Sequence, residues 1–105
     1  KPITLYGVTK LFGEDLGRYF ALTSEMSVIN LRISSCTAED NAAPGRAQAN
    51  WSSYRDLQQL TVKCIEAPQN LKFDIFWATS DNNKLFRDNS HAKNVLGYAP
   101  QDGVR

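Results

Sequence analysis

Apolar residues recur at steps of three and four along the first part of the chain, from Leu5 to about Leu22. The repeating positions are Leu5, Val8, Phe12, Leu16, Tyr19 and Phe20. This period predicts an amphipathic α-helix. Gly13 and Gly17 interrupt the helix four residues apart. Because each glycine costs about 1 kcal/mol relative to alanine inside a helix, we expect another backbone to approach that side closely.

Two later segments have the pattern of β-strands. Apolar and polar residues alternate from Val28 to Ser34, which is typical of a strand. A nearly continuous aromatic and β-branched run from Lys72 to Ala78 predicts a strand buried on both faces. Between Cys36 and Asn50 the periodicity disappears, and Pro44-Gly45 is a turn signal, so we expect a long loop there.

Two further helices are predicted by their end signals. Ser53 is suited to cap a helix, with Asp56 three residues later in a pattern close to the capping box. The apolar stripe of this second helix comprises Tyr54, Leu57, Leu60 or Thr61, Cys64 and Ile65. Ser90 is expected to cap a short third helix that reaches Leu96 and stops at Gly97.

The order helix, strand, loop, helix, strand, helix favours an α/β fold with parallel strands. A sheet of only two strands is marginally stable, because the outer edge of each strand has no neighbouring strand to bond with. The chain also begins at Lys1 without an initiator methionine. We therefore expect residues 1–105 to be a single segment of a longer protein.

Composition narrows the class of protein. The chain is 42% hydrophobic and 22% charged, with a net charge of +1, which is typical of one globular domain. No basic field for nucleic acid and no apolar run of about 18 residues is present in the sequence. Cys36 and Cys64 have no spacing that suggests zinc or a disulfide framework. We expect a reduced, cytoplasmic protein with no metal site, membrane span or nucleic-acid partner.

Tyr6 and Lys10 are the first candidates for chemistry. They are four residues apart on the first predicted helix, so their side chains emerge on one face. A nearby ammonium stabilises a phenolate, and a phenolate can take a proton from a sugar hydroxyl. Because a tyrosine and a lysine four residues apart occur by chance in many helices, a plain surface pair is the alternative.

Four segments, in chain order, resemble the extended short-chain dehydrogenase/reductases of the NAD-dependent epimerase/dehydratase family. They are residues 5–14, which carry Tyr6 and Lys10 and are similar to the catalytic helix, together with 30–36, 51–57 and 93–100. Within that superfamily the chain looks most like the uronate dehydrogenases. The specific points are Arg-Ile-Ser-Ser-Cys36, Arg46 five residues before Trp51, and Leu-Gly-Tyr-Ala-Pro-Gln-Asp102.

This resemblance implies a fold, an activity and a set of site residues. The fold would be the C-terminal portion of a Rossmann-like doubly wound parallel sheet, about two-fifths of such an enzyme, with the nucleotide-binding half absent. The activity would be NAD-dependent oxidation of a hexuronate to an aldarolactone, with NADP not excluded as cofactor. Tyr6 would be the general base and Lys10 would assist it, and both would bind the cofactor.

The resemblance also implies roles for four residues further along the chain. Ile33 and Cys36 would bind the cofactor beside the nicotinamide pocket, and Ser35 and Arg46 would bind the substrate. A guanidinium suits a carboxylate because it forms two parallel hydrogen bonds. About two extra residues lie between Cys36 and Arg46 compared with the uronate dehydrogenases, so the placement of Arg46 depends on that insertion. A homo-oligomer through the first and second helices is the expected assembly.

Two alternative functions remain open. The first is a sugar-nucleotide epimerase or dehydratase of the same superfamily, which would use the same tyrosine and lysine. The second is an inactive structural or interaction module, because hydride transfer needs a cofactor site that this segment cannot build alone.

Overall fold

The computed structural model describes residues 2–42, 50–83 and 87–104. These residues form the helices α1 (Leu5–Thr23), α2 (Tyr54–Ile65) and α3 (Ser90–Leu96) and the strands β1 (Val28–Ile33) and β2 (Phe73–Ala78). The elements follow the predicted order of helix, strand, helix, strand and helix. Each predicted strand and helix is therefore confirmed, and the bounds given for α1, β1, β2 and α3 differ from the prediction by at most one residue.

The two strands pair in parallel. The Val28 amide donates to the Lys72 carbonyl at 2.8 Å, and the Ser34 amide donates to the Ala78 carbonyl at 3.2 Å. Both strands thus advance by six residues in the same direction between these bonds. Just beyond β1, Ser35 forms a parallel bridge with Trp51. The predicted α/β class with parallel strands is confirmed.

The described chain divides into two compact units, of which the first comprises Lys1–Asn30 and Pro68–Ile75. Its helix α1 begins at Thr4, whose side-chain oxygen accepts a hydrogen bond from the Gly7 amide at 3.0 Å. A Cβ atom on Gly17 would lie 2.7 Å from Val28 Cγ1, so this glycine lets the helix lie close to β1. The approaching group is a side chain, not the expected backbone. Outside the backbone of α1 itself, no described residue comes within 4 Å of the corresponding point on Gly13, so the close approach expected there stays a prediction.

The apolar side of α1 is largely uncovered by the described residues. Ala21 is the one buried residue that the helix contributes. Phe12 is 66% exposed, and Leu5, Tyr19 and Leu22 are exposed as well. The predicted helix is therefore present, but its apolar stripe does not pack into a core formed by the described residues.

The second unit comprises Leu31–Ala67 and Phe76–Arg105. Its buried apolar residues are Leu60, Phe76, Ala78, Ala92 and Tyr98. Helix α2 begins as predicted, because the Ser53 hydroxyl accepts a hydrogen bond from the Asp56 amide at 3.2 Å. Strand β2 is buried only in part, since Phe76 and Ala78 are enclosed while the rest of the strand is half-buried. The prediction of a strand buried on both faces is therefore too strong.

Helix α3 starts differently from the prediction. Asn89 occupies the cap position and makes no side-chain capping bond, so the assignment of Ser90 as the cap is wrong. The Ser90 amide and hydroxyl both donate to the Asp88 carboxylate at 2.9 Å. The predicted stop is confirmed, because Gly97 adopts the left-handed conformation with φ of 71°. Among the described helices, none has the length and apolar content needed to cross a bilayer.

Candidate active site

The Tyr6–Lys10 pair lies on an exposed part of α1. The Lys10 ammonium is 5.1 Å from the centroid of the Tyr6 ring. The Tyr6 side chain is accessible, with 71% of the residue exposed. The helical spacing thus brings the cation to the phenol, as the sequence predicted. The Tyr6 ring is therefore open to solvent on a helix surface, with a cation beside it.

A second group of predicted site residues follows β1. Ile33 ends the strand and is 56% exposed. Ser35 is held through its backbone, because its amide donates to the Asn50 carbonyl at 2.8 Å and its carbonyl accepts from the Ser52 amide at 2.9 Å. The Cys36 thiol donates to the Ser52 carbonyl at 3.2 Å. The backbone around Ser35 is therefore fixed, whereas Ile33 presents an apolar side chain to solvent.

The thiols are unsuited to nucleophilic chemistry. Desolvation raises the pKa of Cys36, and the negative charge of Asp40 raises this pKa further. Burial also raises the pKa of Cys64. Both groups are therefore protonated at neutral pH. No cluster of three metal-ligating side chains occurs among the residues in the three described ranges.

Arg46 lies outside the described residues. The remaining predicted site residues form the two groups above, one on α1 and one directly after β1. These groups belong to different compact units. The structure therefore brings Tyr6 to Lys10, and it places Ile33, Ser35 and Cys36 in sequence along one segment.

A buried carboxylate in the second unit was not recognised as important from the sequence. Asp56 is fully buried, and its Oδ1 accepts from the Gln101 amide at 2.7 Å. Its Oδ2 accepts from the Ser80 hydroxyl at 2.6 Å and the Asp102 amide at 3.1 Å. Asp56 thus joins the start of α2 to the end of β2 and to the C-terminal residues. The capping pattern indicated only its local position.

Several polar atoms around the Ser35–Trp51 bridge have no hydrogen-bond partner within the described part of the chain. They are buried side-chain atoms of Ser34, Asn50, Trp51 and Ser52. Buried polar groups are rarely left unpaired in proteins, and each such case calls for a specific explanation. The unpaired atoms are concentrated at the strand end next to Ser35, and all of them are enclosed by the described residues.

Comparison with known proteins yields clear relatives. No protein-family profile matches the chain. Over 103 residues it is 42% identical to an NAD-dependent glucose-6-phosphate dehydrogenase of Haloferax volcanii, a match that covers 97% of this chain. Over 104 residues it is 36% identical to a uronate dehydrogenase of Agrobacterium fabrum, a match that covers 99% of this chain. The chain spans 38% of the length of each of these two relatives.

The structure has equally clear neighbours. One is a mutant uronate dehydrogenase from Agrobacterium tumefaciens, solved as a complex with NAD. The TM-score is 0.84 at 35% sequence identity, and the match covers 98% of this chain and 37% of that one. The similarity predicted from the four sequence segments is therefore confirmed by sequence and by fold.

Proposed function

We propose that this chain, a homologue of uronate dehydrogenases and related NAD-dependent sugar dehydrogenases, is the C-terminal part of an enzyme that oxidises an aldose at C1. The observation that supports this most directly is the Tyr6–Lys10 pair, which is exposed on the helix whose sequence resembles the catalytic helix of the family. The chain accounts for about two-fifths of such an enzyme, so activity belongs to the full-length protein.

Tyr6 acts as the general base of the proposed reaction. Its phenolate oxygen takes the proton of the C1 hydroxyl while the C1–H bond breaks and a carbonyl forms, giving a lactone from a cyclic sugar. Bound NAD supplies the acceptor for the hydride that leaves C1. The Lys10 ammonium lies 5.1 Å from the centroid of the Tyr6 ring, so its positive charge is close to the proposed base.

The cofactor is held in part by residues of this chain. Ile33 offers an exposed apolar side chain, which suits the flat face of a nicotinamide ring. Cys36 follows it, and its protonated thiol adds contact surface without competing as a nucleophile. Lys10 can donate to ribose hydroxyls, since an ammonium has three donors.

The substrate is proposed to carry an anionic group at the end of the sugar opposite C1. A hexuronate is the first candidate, with Ser35 binding a hydroxyl and Arg46 binding the carboxylate. Glucose 6-phosphate is the second candidate, because the relative that is 42% identical bears that substrate in its name. Both sugars place negative charge at C6, and a guanidinium recognises carboxylate and phosphate alike.

The test compares three sugars in the full-length protein: a hexuronate, glucose 6-phosphate and the neutral parent aldose. We expect Arg46→Ala to lower kcat/KM for the preferred anionic sugar by about 10- to 150-fold, as removal of a charge-assisted hydrogen bond worth about 1.5 to 3 kcal/mol predicts. Arg46→Lys should be impaired too, because an ammonium cannot form the planar pair of bonds. The neutral aldose is the internal control, because it has no anionic group and its kcat/KM should be nearly unchanged by these substitutions.

Different outcomes test the role of Arg46, the class of reaction and the identity of the sugar. Equal losses on charged and neutral sugars would mean that Arg46 supports its loop and does not bind the anion. Turnover of a nucleotide-linked sugar, with no oxidation of free aldoses, would favour an epimerase or dehydratase instead. The wild-type preference between carboxylate and phosphate decides between the two named substrates.

The proposed enzyme assembles as a homo-oligomer in the cytoplasm. The exposed apolar residues of α1 offer surface that a second copy can cover. Helix α2 adds an open groove of about 400 Å³, lined by Tyr54, Leu57, Gln58, Thr61 and Val62. Cys36 and Cys64 are free thiols, which suits a reducing compartment.

A further inference from the structure

The carbonyl of Trp51 is bound unusually firmly. It accepts hydrogen bonds from the Thr79 hydroxyl at 3.1 Å, the Ser80 amide at 3.0 Å and the Asn82 side-chain amide at 3.0 Å. A carbonyl oxygen has two lone pairs, so three donors exceed its usual number of partners. The three donor residues are all buried. The turn that follows β2 therefore fixes the backbone at Trp51, and we call these three hydrogen bonds the Trp51 clamp.

This clamp lies at the centre of the bridge that holds Ser35. The Ser35 amide binds the carbonyl of Asn50, the residue before Trp51, and the Ser35 carbonyl binds the amide of Ser52, the residue after it. Any movement of the Trp51 peptide is thus passed directly to both backbone bonds of Ser35. The position of Ser35 depends on the turn after β2 although that turn is 44 residues away in sequence.

Asn82 is the donor best placed to control the clamp. It is 4% exposed, and its Nδ2 donates to the Trp51 carbonyl and to the Thr79 hydroxyl, at 3.0 and 3.3 Å. Its Oδ1 accepts from the Val104 amide at 3.0 Å. One buried amide thus joins the segment after the long loop, the turn after β2 and the C-terminal segment. Such a fully bonded buried amide fixes its neighbours because an unpaired partner is costly.

We propose that Asn82 is a positioning residue for Ser35. It sets the place of the Ser35 backbone through the Trp51 carbonyl, and by this route it sets the affinity of the site for the sugar. The consequence for the sugar rests on the substrate-binding role of Ser35 in the proposed function. The consequence for the backbone does not.

The informative substitution is Asn82→Asp. It keeps the shape and the Oδ1 acceptor for the Val104 amide, but it replaces the donor to Trp51 with an oxygen facing an oxygen. The matched control is Asn83→Asp, which makes the same change at the neighbouring exposed asparagine. If Asn82→Asp fails to fold, Thr79→Val removes another donor to the same carbonyl at nearly constant volume.

Hydrogen exchange of the full-length protein tests the backbone step without requiring activity. We expect the amides of Ser35 and Ser52 to exchange at least 10-fold faster in Asn82→Asp than in wild type, because both bond across the bridge. Asn83→Asp should leave both amides protected. Unchanged exchange in Asn82→Asp, or in Thr79→Val if that variant is used, would overturn the proposal.

Kinetics test the sugar step. We expect Asn82→Asp to raise KM for the sugar about 10-fold, whereas Asn83→Asp should leave this KM near the wild-type value, since small displacements of a binding group are costly. In a Ser35→Ala background the effect on the sugar should vanish, whereas a loss of the same size in both backgrounds would overturn the route through Ser35. If wild type oxidises no sugar but the exchange result holds, the proposed function fails and the positioning of the Ser35 backbone stands.

Discussion

Tyr6 and Tyr19 lie on the same helix and are both exposed, but their surroundings differ. Tyr6 has the Lys10 ammonium 5.1 Å from its ring, whereas Tyr19 contacts Phe20 edge to face at 5.4 Å. We expect Tyr6→Phe to lower kcat of the full-length enzyme by about 100-fold or more, because the ring is kept and the proton acceptor is lost. The affinity for NAD should change little. Steady-state kinetics measure kcat, and titration with NAD measures the affinity for the cofactor.

Tyr19→Phe is the control for this experiment, since it removes a hydroxyl from the same helix without touching the proposed base. Its kcat and its affinity for NAD should equal those of wild type. Turnover of Tyr6→Phe at the wild-type rate would exclude Tyr6 from the chemistry, and the exposed pair would then be a surface contact.

Single residues also show where sequence reasoning reaches its limit. The spacing of Tyr6 and Lys10 encodes their proximity, because four residues make about one helical turn. The bonds of Asp56 to the backbone of Gln101 and Asp102 span 45 and 46 residues, so no local pattern could reveal them. The same holds for the contact of Asn82 with Trp51 across 31 residues. Such contacts depend on which segments the tertiary fold brings together.

At the scale of elements, the start of α2 depends on one hydroxyl with two bonds. Ser53 Oγ accepts from the Asp56 amide at 3.2 Å and donates to Asp102 Oδ2 at 2.6 Å. We expect Ser53→Ala to lower the free energy of unfolding by about 1 to 3 kcal/mol, because both the cap and a bond to a charged group are lost. Urea denaturation of the full-length protein measures the change.

Ser53→Thr is the matched variant because it retains the hydroxyl. Its free energy of unfolding should lie much closer to wild type than that of Ser53→Ala. Equal losses in the two variants would indicate that the space around this buried serine, and not its hydrogen bonds, determines the stability of the helix start.

The elements themselves were largely predictable, whereas their surroundings were not. Periodicity located α1 and β1 within a residue or two, because the period depends only on local geometry. The cap of α3 was misplaced because the Ser90 hydroxyl donates to the Asp88 carboxylate, and Asp88 also accepts from the Ser90 amide. The burial of β2 was overestimated because the sequence does not show which neighbours cover a strand. Arg46 remains a prediction from resemblance.

At the scale of the whole molecule, the uncovered apolar surface predicts association. We expect the full-length protein to be a dimer at micromolar concentration and Val62→Asp to shift it toward monomer, because a charge in the α2 groove must be desolvated on burial. Sedimentation velocity measures both states. Glu39→Lys, at an exposed position outside α1 and α2, is the control and should remain dimeric. A monomeric wild-type protein would contradict the expectation.

Acid stability of the molecule should depend on Asp102. Hydrogen bonds from Arg55, and then from Ser53, hold the pKa of this carboxyl below its ordinary value of 3.8. A carboxylate with a lowered pKa in the folded state stabilises the protein above its unfolded pKa, and the contribution is lost as pH falls through the folded value. We expect Asp102→Asn to be less stable than wild type at neutral pH.

Thermal unfolding between about pH 6 and about pH 2 measures this contribution. The difference in melting temperature between wild type and Asp102→Asn should shrink as the pH falls below 3.8. Asp15→Asn, which alters an exposed carboxylate of α1, controls for general charge effects. A difference that is constant over the whole range would mean that the loss in Asp102→Asn has another cause than ionisation.

The exposed apolar side of α1 has a practical consequence for handling the 105-residue chain by itself. Only one of the 19 residues of α1 is buried, so few contacts hold this helix in place. Its free energy of local unfolding should therefore be low, and a protease should cut it first. Its uncovered Leu5, Phe12 and Leu22 also favour self-aggregation in concentrated solution. The second unit, with its buried polar network, should outlast α1 in a limited digest.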